Sequence, residues 1–381
     1  MALARRSRFE FENDLQDKPI PFIKHSISTS NMDYNVQSLV NTINEGDIFI
    51  PPFQRNLVWS HKQASLFIES LLLGLPVPGI FLSEEQATGK LLVIDGQQRL
   101  STLKSFFPPA SPNNVDNNFS ELVSSRQNRE AGDGFALVDV QEEFVGKTYK
   151  TLSDLDRRTL NKSSIYATII KPGGPSISAD DAIYYVFNRL NTGASQLRPQ
   201  DIRAAIYYGP FNELLGNLNK NEFWRNIFGS DEPDMYKRDQ ELILRFFALY
   251  FAGDTYKTPM EGFLNAYMAH NRNLQHQSAE QLTKLFNSTI QVAYDALGDR
   301  DFRPIRALNA AIFDAVMVGL ARKLEETQLI ERSSIDSEEV YEAYRNLPSN
   351  KEFADDTDVS TAGIKKVKNR IRLATEAFAN I

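Results

Sequence analysis

The sequence predicts an α+β protein in which a mixed amino-terminal half precedes an all-helical carboxy-terminal half. Three observations carry this expectation. Short apolar runs bounded by turn residues, "GIFLSEE" and "KLLVID" at 79–95 and "IYATIIKP" at 165–172, have the length and borders of strands. Between and around them, apolar residues recur at helical spacing. From about residue 210 onward helical periodicity continues with no convincing strand. A chain of 381 residues also exceeds what one hydrophobic core usually supports, so two domains are expected.

Taken in order, the first thirty residues are polar and irregular and read as an arm. "VQSLVNTINEGDIFIPPFQRNLVW" (36–59) reads as a short helix, a turn at Gly46 and an extended segment held by two prolines. Ser60 and Gln63 form a capping box, and Ala64, Phe67, Ile68, Leu71 and Leu72 give one apolar stripe, so a helix runs to a stop at Gly74. Two strands flanking "QATG" follow, the second ending at Ile94. The stretch 108–134, "PPASPNNVDNNFSELVSSRQNREAGDG", lacks apolar periodicity and reads as a loop or partly disordered insertion. The apolar pattern resumes with "FALVDV", a helix near "TLSDLDRRTLN" and the strand "IYATIIKP". Two further helices are expected next, the first capped by Ser178 and ended by Gly193, the second with Pro199 near its start.

Composition removes several classes of function. With no cysteine there are no disulfides, thiolate nucleophiles or cysteine-bound zinc, which fits a reducing compartment, and the cytoplasm is the expected address. The amino terminus has no apolar core of a signal peptide, and the longest apolar run (307–321) carries Asn309 and Asp314, so it reads as a buried helix. A net charge of −7 argues against a generally basic surface while leaving room for a local nucleic-acid groove. One basic cluster, "KKVKNRIR" at 365–372, lies on a terminal helix whose apolar stripe is Ile364, Val367, Ile371, Ala374 and Phe378. Its Lys and Arg side chains fall on the opposite face, either simply solvated or contacting phosphates.

The chemistry concentrates in "LLVIDGQQRLSTLKSFF" (91–107). A strand ending at Ile94, a tight turn at Asp95 and Gly96 and a helix beginning near Gln97 turn free backbone N–H groups and the positive end of a helix dipole toward one point, an anion site. Leu100, Leu103 and Phe107 point to the core; Gln98, Arg99 and Thr102 lie on a neighbouring face within reach of a phosphate. Arginine neutralises phosphate bidentately, and the aspartate is placed to hold a divalent metal or orient water. Asp95 and Gln98 also fit a capping box, so the residues alone leave a well-capped helix with a surface arginine equally open. A second polar knot, Gln54, Arg55 and Asn56, sits between Phe53 and Trp59, where Trp59 serves as a hydrophobic staple or as a stacking surface. A third, Asn188, Arg189, Asn191 and Thr192, crowds a helix end, and three knots in one domain suggest one shared pocket.

"FQRNLVW", "IDGQQRLSTL" and "FNRLNTGASQLRPQDIRAA", in this order and spacing, resemble the DGQQR-motif domain of GmrSD-type modification-dependent restriction systems and their relatives in bacterial phage defence. The resemblance covers roughly residues 35–206, and "RDQELILRFFALYF" and "VKNRIRLATEAF" are similar to that family's helical half. It implies a ParB/sulfiredoxin-like domain over 31–206, with the insertion 108–134 inside it, and a helical domain over 207–381. It also implies binding and hydrolysis of a nucleoside triphosphate with Mg2+ or a similar cation, coupled to DNA, which is modified in some of these systems. Carried over, Asp95, Gln98 and Arg99 would be catalytic, with Asp95 at the metal, and Gln54, Arg55, Gly96, Gln97, Thr102 and Asn191 would line the nucleotide pocket. Gln54 and Arg55 would alternatively sense the DNA modification.

The fuller members often carry a His-Asn-His nuclease domain, whereas the histidines here are His25, His61, His270 and His276, the last two in a polar "HNRNLQH" without a carboxylate pair. A separate nuclease subunit is therefore expected, an oligomer is compatible with the sequence, and a non-catalytic nucleotide- or DNA-gated adaptor is the alternative. No G-x-x-x-x-G-K-[ST], G-x-G-x-x-G, H-E-x-x-H or G-x-S-x-G occurs.

Overall fold

The computed structural model describes residues 27–50, 59–85, 88–108, 134–173, 176–190, 198–303, 307–326, 335–379 and 381, in two compact units that divide just before residue 198. The first unit is built on a mixed sheet of β1 (Ile27–Asn35), β2 (Ile48–Phe49), β3 (Ile80–Glu84), β4 (Leu91–Asp95) and β5 (Ser164–Pro172), in the order β1-β5-β3-β4-β2. β1–β5 and β3–β4 pair antiparallel, β3–β5 and β2–β4 parallel. Its helices are α1 (Val36–Glu45), α2 (His61–Leu72), α3 (Gln97–Phe106), α4 (Asp154–Lys162) and α5 (Ser176–Leu190).

Strand alternation sorts the side chains. Ile80, Leu82, Val93, Ile165, Ala167 and Ile169 join Leu39 of α1, Phe67 and Ile68 of α2 and Leu100, Leu103 and Phe106 of α3 in one core. The intervening Ile94 and Ile170 are buried outside that core, and α5 packs against β4 and β5. Helices thus cover both faces of the sheet. The expected details hold for α2: Ser60 accepts from the Gln63 amide, the Gln63 side chain accepts from the Ser60 amide, and all five stripe residues are buried. Burial of each of the four larger ones, Phe67, Ile68, Leu71 and Leu72, contributes about 1.5–3 kcal/mol, enough to fix the helix against the sheet. "FALVDV" forms no strand. It docks on α2 irregularly, the Val138 amide donating to Ser65 Oγ and His61 Nε2 donating to the Ala136 carbonyl at 2.6 Å.

Three expectations change here. The arm does not extend to residue 30, because β1 begins at Ile27 and pairs with β5 along nine residues. Its residues are almost all exposed, so no apolar alternation betrayed it. Ser178 is not a cap, since α5 starts at Ser176 and encloses it. Gly193 and the insertion from 109 to 133 lie outside the described residues.

In the second unit every described element is helical: α6 (Pro199–Ile206), α7 (Pro210–Leu218), α8 (Glu222–Phe228), α9 (Arg238–Ala252), α10 (Met260–Asn271), α11 (Ala279–Leu297), α12 (Ala310–Glu326), α13 (Ser337–Arg345), α14 (Lys351–Asp358) and α15 (Ile364–Ala379), with one short 3-10 turn at Gly253–Thr255. Pro199 opens α6 at its first turn, as expected. α6 packs on α9 and α10, where Arg203 donates to Gln200, Asn265 and Glu241, so it belongs to the helical unit although the sequence reading grouped it with the sheet. The apolar α12 is the buried centre, flanked by α9, α11 and α15. At Gly319 a Cβ would meet the backbone of Ala374 at 3.0 Å, so glycine sets how closely α12 and α15 approach.

The basic cluster on α15 is also corrected. Arg370 is not on a solvated face. It is fully buried, its Nη2 3.1 Å from Asp314 Oδ2, which also takes Arg245 Nη2 at 2.7 Å. Ile364, expected in the apolar stripe, is exposed, whereas Val367, Ile371, Ala374 and Phe378 are buried. Lys365, Lys368 and Arg372 face solvent, with Arg372 on Glu376 at 2.7 Å.

Candidate functional site

The turn between β4 and α3 is where the chain spends polar groups. α3 begins at Gln97, as the sequence predicts, but its cap is Gly96 in the left-handed region (φ 97°), with no side chain capping the helix. The alternative of an Asp95–Gln98 capping box is therefore not realised. The Gln98 Oε1 instead accepts from the Trp59 amide at 2.8 Å, and Gln97 Nε2 reaches the Val93 carbonyl at 3.4 Å. A helix start with no side-chain cap leaves its amides and dipole for an anion. Gly96 is obligatory for two reasons: its φ, and the 2.4 Å that would separate a Cβ from Ile80 Cγ2.

Asp95 ends β4 with its side chain half-exposed, and its Oδ2 accepts from Arg99 Nη2 at 2.8 Å, one helical turn on. The same Nη2 donates to the Gly79 carbonyl at 2.9 Å. Arg99 is thus clamped between a carboxylate and a carbonyl while its buried Nε has no partner. Thr102, one turn further, is fully buried with an unpartnered Oγ1. An arginine held by one nitrogen keeps the rest of its planar fork for an oxyanion.

Described residues flank the second polar knot on both sides. β2 runs parallel to β4, Phe49 opposite Leu92, so the chain leaves it heading toward Asp95; it is tied back at Trp59 by Gln98. Gln54 and Arg55 lie outside the described residues, as does Asn191 of the third knot. Arg189, in that knot, donates to the Tyr185 hydroxyl and lies 4.9 Å over its ring, near the end of α5. Trp59 packs edge-on against Phe67 of α2 at 5.4 Å, on the helix that follows it. What the sequence did not single out is Gly79, whose carbonyl holds Arg99 and whose missing Cβ would meet the Tyr166 carbonyl at 2.7 Å. A lone glycine heading an apolar strand was its only trace.

His270 and His276 stack face to face at 4.0 Å. Among the described residues no three His, Cys, Asp or Glu side chains gather as a metal site, and no helix is long and apolar enough to cross a membrane. A lone half-exposed carboxylate such as Asp95, its Oδ2 engaged by Arg99, is chemically compatible with Mg2+, which commonly takes one or two protein carboxylates and completes its shell with phosphates and water.

Residues 36–208 match the GmrSD restriction endonuclease N-terminal domain. This stretch is a GmrSD-type N-terminal domain. It contains all of the sheet but β1, together with the 95–99 turn. An uncharacterized protein of Methanocaldococcus jannaschii is 32% identical over 103 residues, 21% of this chain and 17% of that protein, so the match spans about a sixth of the relative's length. No solved structure matches the chain, and the GmrSD-type domain is therefore described from its own geometry.

Proposed function

We propose that the protein binds and hydrolyses a nucleoside triphosphate at the 95–99 turn, as the sensor or motor of a DNA restriction or phage-defence system whose cleavage is made by a separate nuclease subunit. The observation that carries this is the uncapped start of α3 at Gly96 beside an arginine clamped by Asp95 and Gly79. In this reading the amides of the first turn and Arg99 bind the phosphates and stabilise charge on the transferred phosphoryl group, and Asp95 positions the attacking water. Asp95 is also the residue that would hold Mg2+, which supplies further neutralisation of phosphate charge. Gln98 fixes the position of Trp59, and Gln54 and Arg55 would line the same pocket or sense the DNA modification. The ParB/sulfiredoxin-like relationship of the sheet domain, and DNA, possibly modified, as the activating ligand, belong to the same proposal.

A non-catalytic adaptor is the second reading, and one observation favours it: Asp95 Oδ2 is already engaged by Arg99, a pair that nucleotide binding would open without any turnover. Release of inorganic phosphate by the purified protein, with and without DNA, separates the two. Turnover stimulated by DNA supports hydrolysis; nucleotide binding without phosphate release supports the adaptor.

A further inference from the structure

The Gly79 residue that holds Arg99 through its carbonyl carries something else on its other side. A Cβ built there lies 3.4 Å from Cδ1 of Tyr166, so the Tyr166 ring rests against the glycine backbone. Tyr166 is 47% exposed although it sits in the interior strand β5. It occupies the sheet face opposite the main core, since its neighbours Ile165 and Ala167 are the residues that enter that core. One strand of the sheet, β3, separates it from the phosphate-binding turn: Phe81 of β3 pairs with Asp95 on one side and with Thr168 on the other. With strands about 4.8 Å apart and a rise of about 3.3 Å per residue, the Cα atoms of Tyr166 and Asp95 are roughly 12 Å apart, the reach of a nucleotide from base to terminal phosphates.

An exposed aromatic on an interior strand, resting on the glycine whose carbonyl holds an arginine, is an arrangement suited to stacking a planar base. Charge sets the direction. Asp33 of β1 stands directly across from Tyr166, exposed, and a carboxylate there repels phosphate while accepting N–H groups from a base edge. The anionic end of a ligand therefore goes to Arg99 and the α3 amides, and the base end to Tyr166.

We infer that Tyr166 is the base-stacking platform for the nucleotide whose phosphates bind at the 95–99 turn, with Gly79 holding ring and guanidinium in register. This rests on the nucleotide reading of that turn. The test is calorimetric titration of the full chain with each of the four ribonucleoside triphosphates and, separately, with inorganic tripolyphosphate, which has no base. Tyr166→Ala should weaken nucleotide binding roughly tenfold and leave tripolyphosphate binding unchanged; Tyr166→Phe should restore the nucleotide affinity. Arg99→Ala should weaken both ligands. If Tyr166→Ala binds nucleotide as the parent does while Arg99→Ala does not, the platform is overturned and the nucleotide site survives. If Tyr166→Ala loses affinity for a single-stranded oligonucleotide but not for nucleotide, the platform serves DNA and the inference fails. A parent that binds neither nucleotide nor tripolyphosphate overturns both this inference and the site on which it rests.

Discussion

Arg99 and Arg370 both sit in helices, both follow polar residues in the sequence and both meet an aspartate, yet they do opposite things. Arg370 is wholly enclosed, sharing Asp314 with Arg245 and donating to the Thr361 carbonyl at 2.5 Å. Burial pulls the Arg370 pKa down and the Asp314 carboxylate opposes that pull. Its charge is consumed in joining α9, α12 and α15. Arg99 lies in the first turn of α3, partly open and held by a half-exposed carboxylate and a backbone carbonyl. The difference teaches that a guanidinium is a candidate for ligand binding when it and its carboxylate partner stay partly open at a helix start, and a structural cross-brace when both are wholly enclosed.

Removing the shared carboxylate should have the largest effect on stability. Asp314→Asn leaves two buried guanidiniums without their counter-charge, and the loss should be about 3–5 kcal/mol, read by denaturant unfolding. A variant as stable as the parent would erase the distinction between the two arginines. Next comes Gly96→Ala, which combines a left-handed φ with a 2.4 Å contact to Ile80; a cost of about 1–3 kcal/mol is expected, together with loss of nucleotide binding at the displaced turn. Unchanged stability and binding would mean that the turn has no need of its close approach.

Asp95→Asn should cost at most about 1 kcal/mol, because the pair it forms with Arg99 is solvent-screened. It should nonetheless lower hydrolysis by roughly 10². A melting temperature that falls in step with activity would reduce Asp95 to a structural partner of Arg99. The smallest effect is expected on α15. Lys365 and Lys368 are exposed, but Glu352 and Asp356 line the same surface, so Lys365→Glu with Lys368→Glu should leave the salt dependence of DNA binding unaltered. A salt slope flatter by about one for each substitution would instead make this face a phosphate contact.

Much of the sheet unit was legible because its signals are local and periodic: the Ser60–Gln63 capping box, the apolar stripe of α2, the β3–β4 pair and the start of α3 at Gln97. β1 was not legible, since a strand exposed on both faces shows no apolar alternation and its partner β5 lies more than a hundred residues away. The burial of Arg370 escaped for the same reason, because Asp314 and Arg245 are distant in sequence and only the packing of three helices brings them together. At the turn, residue types and order pointed to an anion site, whereas the choice of Gly96 over Asp95 as cap depends on a backbone angle that the sequence does not display. Gly79 and Tyr166 were invisible as site residues because what links them to Arg99 is a backbone carbonyl and the space of a missing side chain.

The central claim is that the 95–99 turn hydrolyses a nucleoside triphosphate, and the direct measurement is phosphate release by the parent, Asp95→Asn, Arg99→Ala and Arg99→Lys proteins, each melted in parallel. The account predicts DNA-stimulated turnover in the parent, a loss of roughly 10² in Asp95→Asn, loss of affinity or turnover in Arg99→Ala and incomplete rescue by Arg99→Lys, since a point charge does not reproduce a planar fork. A folded Asp95→Asn protein that releases phosphate at the parental rate would contradict it.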